Sequence, residues 1–133
     1  MRIMGLDVGK RRIGIAISDP LQITARPHST IPRNREAFPK IATIAEELEV
    51  GKIIVGLPLH LSGVEGEQAK DVRSFAAKLE SHTKVPLEYK DERLTTVEAE
   101  YRLSDRRGDW RNRKKQIDAV AASILLEEHL KER

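Results

Sequence analysis

The sequence predicts an α/β domain with a mixed central sheet. An antiparallel three-strand meander is followed by parallel strands, and helices flank the sheet on both faces. Three observations predict it. Residues 2–31 hold three extended stretches separated by turns, residues 38–130 alternate helical with extended spacing, and a chain of 133 residues suffices for one core but not two. The chain is read as one domain over residues 1–133.

Residues 2–8 are apolar on both faces, as suits a central strand. Gly9-Lys10-Arg11 turns the chain, and residues 12–18 alternate Ile13, Ile15 and Ile17 with Gly14, Ala16 and Ser18. The small face of this second strand would let a helix pack close. A third extended piece, about Ile23 to Ile31, is interrupted by Pro27 and therefore reads as an edge strand or an irregular segment. Phe38, Ile41, Ile44, Ala45 and Leu48 recur at helical spacing, and Val50-Gly51 is expected to end that helix. Lys52 to Leu57 is a short buried strand, His60 to Gly66 a polar loop, and Gln68 to Leu79 an amphipathic helix. Val85 to Lys90 is the next strand. Thr95-Thr96-Val97-Glu98 is a capping-box signature, which predicts a helix to about Leu103. Ser104 to Lys115 reads as a basic loop. Gln116 to Leu130 reads as the last helix, with Ile117, Val120, Ala121, Ile124 and Leu125 on its buried side.

Composition narrows the chemistry. Hydrophobic residues make up 39% and charged residues 34%, a small domain with a charged surface and not a disordered chain. There is no cysteine, which excludes a disulfide frame, a thiolate zinc site and a cysteine nucleophile. No apolar run approaches the roughly 20 residues of a membrane span, and the first strand leaves no room for a signal peptide. A cytoplasmic protein with no membrane partner is expected.

Three acids stand out. Asp7 sits where the first strand runs out, beside Gly9 and a basic turn. An acid at the end of a buried strand is costly unless paired, and a divalent cation is a natural partner. Asp91-Glu92 closes a later strand, again at the carboxyl end of the sheet, where ligands of open α/β sheets gather. Asp118 is wedged into an apolar helix among alanines. Each also has a purely structural reading: a turn aspartate, an ion pair with Arg93, and a first-turn acid favoured by the helix dipole. The basic loop carries Arg106, Arg107, Arg111, Arg113, Lys114 and Lys115 with Trp110 among them. Cations neutralise phosphates, and an aromatic among them can stack on an unpaired base. The four histidines are scattered without metal-ligand spacing. Three convergent carboxylates, Asp7, Asp118 and either Glu92 or Asp91, suggest metal-dependent phosphodiester chemistry.

These motifs resemble the YqgF/RuvX family of bacterial nucleases, with a ribonuclease H-like fold. The resemblance rests on Gly5-Leu6-Asp7-Val8-Gly9 with Arg12-Ile13-Gly14-Ile15-Ala16 and on Val55-Gly56-Leu57-Pro58 with Ser62-Gly63. It extends to Asp91-Glu92-Arg93-Leu94-Thr95-Thr96 and to Arg113-Lys114-Lys115 with Ile117-Asp118. It implies processing of the 5′ end of precursor 16S rRNA or, by likeness to RuvC resolvases, cleavage of Holliday junctions. It matches Asp7, Asp91-Glu92 and Asp118 to the family's acids. Unlike RuvC-type resolvases, the strand ending at Leu57-Pro58 carries no carboxylate, so the second acid falls to Glu92 or Asp91.

The resulting expectation is a hydrolase in which Asp7, Glu92 and Asp118, with Asp91 as a further candidate ligand, hold two Mg²⁺ or Mn²⁺ ions roughly 3.5–4 Å apart. Lys10, Arg11, Arg107, Trp110, Arg111, Arg113, Lys114 and Lys115 would hold precursor rRNA or branched DNA. The protein would act as a monomer or weak homodimer. A non-catalytic RNA-binding or assembly factor is one alternative. Phosphotransfer, from the likeness of the Asp7-x-Gly9 hairpin to sugar kinases, is another.

Overall fold

The computed structural model describes residues 1–60, 62–92 and 110–132, with side chains described from Ile117 onward in the last stretch. Five strands form one sheet in the order β3-β2-β1-β4-β5. β1 (Arg2–Val8), β2 (Arg12–Ser18) and β3 (Ala25–Pro32) are the antiparallel meander. β4 (Val50–Leu57) runs parallel to β1, and β5 (Leu87–Asp91) parallel to β4. β3 is an edge strand, and its register with β2 shifts at Ile15/Ala16, opposite Pro27. A proline that cannot donate to a ladder fits that position.

α1 (Ala37–Glu47) and α2 (Glu67–Glu80) cover one face and α3 (Trp110–Lys131) the other. The period-two alternation of the strands divides the core accordingly. Met4, Leu6, Ile13, Ile15, Ile53 and Val55 pack with Ile41, Val72, Phe75 and Leu79 beneath α1 and α2. On the opposite face Ile3, Ala16 and Ile54 meet Ala122, Leu125 and Leu126 of α3. The expected small face of β2 is what admits that helix. A β-carbon on Gly14 would collide with the Asp118 backbone.

Several boundaries differ from the sequence reading. Val50-Gly51 does not end α1; both residues already belong to β4. The helix stops before Glu49, which takes a left-handed φ of 54°. β5 starts at Leu87 rather than Val85 and includes Asp91. The last helix begins at Trp110, so the basic residues from Arg111 to Lys115 lie on its first turns and not in a loop. Asp118 is consequently two turns inside the helix, too far from the N-terminus for a first-turn dipole role. The buried side of α3 also divides in two. Ala121 and Ile124 cluster with Ile117 and Val120, apart from the sheet-facing Ala122, Leu125 and Leu126. The capped helix expected over 95–103, the rest of the basic loop and Arg107 lie outside the described residues.

Candidate active site

The site forms where β1, β4 and β5 end. On β1 the odd positions face α3, so Asp7 shares a side with Ile3 and Gly5. Asp7 pairs in register with Gly14, over which the Asp118 backbone lies. The two acids, 111 positions apart in sequence, are thus neighbours because one glycine permits close contact between helix and strand. The third acid arrives by register. β5 pairs Lys90 with Gly56 and Asp91 with Leu57, and the Glu92 amide then donates to the Leu57 carbonyl at 3.2 Å. Glu92 falls on the α3 side, its carboxyl seated over Gly56, where any β-carbon would collide with it. Asp91 points with Leu87 and Tyr89 toward the other face.

Asp7 and Glu92 share a hydrogen bond between their carboxyls. Burial raises the Asp7 pKa to about 6, the Glu92 hydrogen bond opposes the rise, and the charge of Asp118 adds to it. Burial likewise raises Glu92, to about 10, reinforced by the charge of Asp7, by the hydrogen bond they share and by Asp91. Two adjacent buried carboxylates cannot both ionise cheaply, so one keeps a proton unless a cation takes its place. Asp118 is anchored differently. Its Oδ2 accepts a 2.8 Å bond from Arg12 Nε.

A cleft of about 350 Å³ opens on these acids, lined by Asp7, Glu92 and Asp118, by Val8, Gly9 and Lys10 of the β1–β2 turn, by Pro58 and Leu59 after β4, and by Gln68, Asp71 and Val72 of α2. Arg33 braces the turn. It donates to the Gly9 carbonyl at 2.9 Å and grips both carboxylate oxygens of Asp71, at 2.7 and 2.9 Å, and this pairing holds Asp71 below its usual carboxylate pKa.

The sequence-predicted Asp7, Glu92, Asp118 and Lys10 therefore meet in one cleft. Asp91 does not line it, and Arg11 is exposed on the adjoining turn. Trp110, Arg111, Arg113, Lys114 and Lys115 sit on the α3 turns preceding Asp118. The sequence reading missed Arg12 as the partner of Asp118, and Gln68 and Asp71 as cleft wall. The spacing of the latter pair, three apart on one helix, was the available signal.

The donor set suits a hard divalent cation, which prefers carboxylate oxygens. Asp7 and Glu92 supply adjoining carboxyls, and the second oxygen of Asp118 accepts no hydrogen bond among the described residues. Among those residues no three acids already stand in ligand geometry. Ligation by all three would require Glu92 to give up its proton and the carboxyls to close by side-chain rotation.

The fold resembles that of solved resolvases. Thermus thermophilus RuvC, in a structure with a Holliday junction substrate, superposes with a TM-score of 0.60 at 13% identity, covering 100% of this chain and 96% of that one. The fowlpox virus resolvase, in complex with Holliday junction DNA, gives 0.54 at 12% identity over 99% and 98%. Among curated proteins, "Putative pre-16S rRNA nuclease" is the name of relatives from Anaeromyxobacter dehalogenans, 43% identical over 96% of this chain and 94% of theirs, and from Streptococcus thermophilus, 40% identical over 98% and 97%. A family model described as "RuvX: Holliday junction resolvase" matches residues 1–132, and the chain belongs to that family.

Proposed function

We propose that this chain is a cation-dependent nuclease acting on structured nucleic acid, with the 5′ end of precursor 16S rRNA as its substrate. The observation that carries the reading is the meeting of Asp7, Glu92 and Asp118 at the end of one cleft. The full-length relatives named as pre-16S rRNA nucleases support the substrate.

In this reading Asp7, Glu92 and Asp118 would hold two divalent cations, Mg²⁺ or Mn²⁺. When bound, these supply an activated water and neutralise charge on the transferring phosphate and the departing 3′ oxygen. The chain's own residues do the rest. Glu92 would release to solvent the proton it shares with Asp7, leaving both carboxyls free to hold the cations. Gly14 and Gly56 fix the distances by letting α3 and the Glu92 carboxyl lie against the sheet. Val8, Pro58 and Leu59 exclude water from one wall. Lys10 and Arg11 take phosphates flanking the scissile bond, and Arg107, Trp110, Arg111, Arg113, Lys114 and Lys115 add further contacts to the nucleic acid.

The family description favours one second reading, cleavage of four-way DNA junctions. Symmetric resolution needs two such clefts, hence two copies of the chain.

One cleavage panel separates these. Precursor 16S rRNA, single strands and four-way junctions are incubated with Mg²⁺, Mn²⁺ or chelator, using wild type and Asp7→Asn. Asp7→Asn keeps the fold and loses at least about a hundredfold in rate, a loss of the size that follows removal of a group stabilising transition-state charge. Cleavage surviving Asp7→Asn would refute the mechanism. RNA binding without cleavage of any substrate would favour an assembly factor.

A further inference from the structure

The described residues contain three hydrogen-bonded arginine–carboxylate pairs, and one differs from the others. Arg33 meets Asp71 through Nη1 and Nη2, and Arg73 meets Glu65 through Nε and Nη2, so both guanidinium forks are matched to two carboxylate oxygens. Arg12 touches Asp118 through Nε alone, at 2.8 Å to Oδ2. Its two terminal amino groups take no acceptor among the described residues. The Arg12 side chain is 38% exposed, beside an acid that lines the cleft.

The backbone fixes this arrangement. Arg12 opens β2, and its carbonyl accepts the Gly9 amide at 2.8 Å, closing the turn that carries Lys10. Even positions of β2 face α3, so Arg12 rises on the same side as Gly14, over which Asp118 is seated. A guanidinium held from the side by one carboxylate presents a planar pair of N–H donors with its torsions already fixed. That is the geometry suited to two oxygens of a phosphate, at reduced entropic cost.

We propose that Arg12, which stands beside the cleft without lining it, is a phosphate clamp for the strand the cleft receives. Asp118 holds it through Nε, and its terminal amino groups grip a backbone phosphate of the bound strand next to the acids. The inference rests on the nucleic-acid reading above, but it does not require cleavage. It also divides the work of Asp118: Oδ2 orients Arg12, while Oδ1, which accepts no hydrogen bond among the described residues, stays available.

The test is binding in chelator, where nothing is cleaved. Fluorescence anisotropy follows a labelled RNA hairpin and, separately, a labelled four-way DNA junction over a salt series, for wild type, Arg12→Ala, Arg12→Lys, Asp118→Asn and the double variant Arg12→Ala/Asp118→Asn. Arg12→Ala weakens binding about tenfold at low salt and lowers the slope of log affinity against log salt by about one, the signature of one lost phosphate contact. Arg12→Lys keeps the charge and most of the slope but loses several-fold in affinity, since one ammonium cannot serve both the carboxylate and a phosphate edge. Asp118→Asn lessens the effect of Arg12→Ala, because a neutral amide oxygen holds Nε less firmly than a carboxylate and orients the clamp less well. If Arg12 only ties α3 to the sheet, Arg12→Ala and Asp118→Asn lower the melting temperature alike and the slope stays at the wild-type value. That result overturns the proposal. Should Arg12→Ala not fold, a wild-type affinity for Arg12→Lys on both probes overturns it instead. A slope lowered by about one in Arg12→Ala, with a wild type that cleaves nothing in the Mg²⁺ and Mn²⁺ arms of the cleavage panel, would uphold the clamp and sink the nuclease. Cleavage with an unchanged slope would do the reverse.

Discussion

The two faces of the sheet are built to opposite rules. Under α1 and α2, branched and aromatic side chains such as Ile15, Ile53, Phe75 and Leu79 fill the space between layers. Under α3 the sheet offers Gly5, Gly14, Ala16 and Gly56, and the helix answers with Ala119 and Ala122. The first face buries much apolar area and supplies most of the hydrophobic stabilisation. The second gives up area for proximity, and proximity brings a helix acid to a strand acid. The difference teaches that the thin layer sets the site, while the thick one holds the scaffold that bears it.

Substitutions can break this division. The largest effect is expected from Gly14→Val. Its side chain would collide with the Asp118 backbone, lift α3 and separate Asp118 from Asp7. Cleavage should fall at least about a hundredfold, since displacement of order 1 Å has that consequence. Leu79→Ala on the thick face is the counterpart. It should cost about 2–5 kcal/mol in denaturant titrations while leaving turnover per folded molecule unchanged. If the two variants exchange these phenotypes, the contrast between faces is wrong.

Gly56→Ala should be milder. The added carbon meets the Glu92 carboxyl and not backbone, so the acid must shift while the fold stays. A rate loss of about tenfold or more is expected, with a melting temperature within a few degrees of wild type. Equal activity would detach Glu92 from the chemistry.

The smallest effect sharpens the electrostatics. Asp7 and Glu92 both have folded-state pKa values above their ordinary ones. The folded chain therefore binds more protons than the unfolded chain, and stability falls as pH rises. Asp71, Glu65 and Asp19 are shifted down and work in the opposite sense, but their contributions are complete once pH exceeds their ordinary values near 4. Between pH 6 and pH 9 the melting temperature of chelated protein should decline by a few degrees, and Asp7→Asn should flatten the decline. A rise over that window would contradict the shared proton.

Much of this was legible in the sequence. The meander and the parallel strands follow from period-two and helical spacing, and Asp7, Asp118 and the Asp91-Glu92 pair stand out by their places at strand ends and in an apolar helix. The small positions of β2 already pointed to close helix packing. What stayed hidden depends on register. Asp91 and Glu92 are indistinguishable until β5 is aligned with β4, whereupon one residue decides which face each acid takes. Trp110 to Lys115 read as a loop because charged residues without apolar spacing give no helical signal, although cations are good helix formers. Arg12 looked like part of a basic turn, since only the fold brings it to Asp118, 106 positions away.

The central claim is that Asp7 and Glu92 exchange a shared proton for a cation. Calorimetric titration of Mn²⁺ into chelator-stripped protein near pH 7, repeated in buffers of different ionisation enthalpy, tests it directly. The account predicts saturable binding by wild type with release of about one proton, and at least about tenfold weaker binding by Asp7→Asn. Binding without proton release, and equally tight in Asp7→Asn, would contradict it.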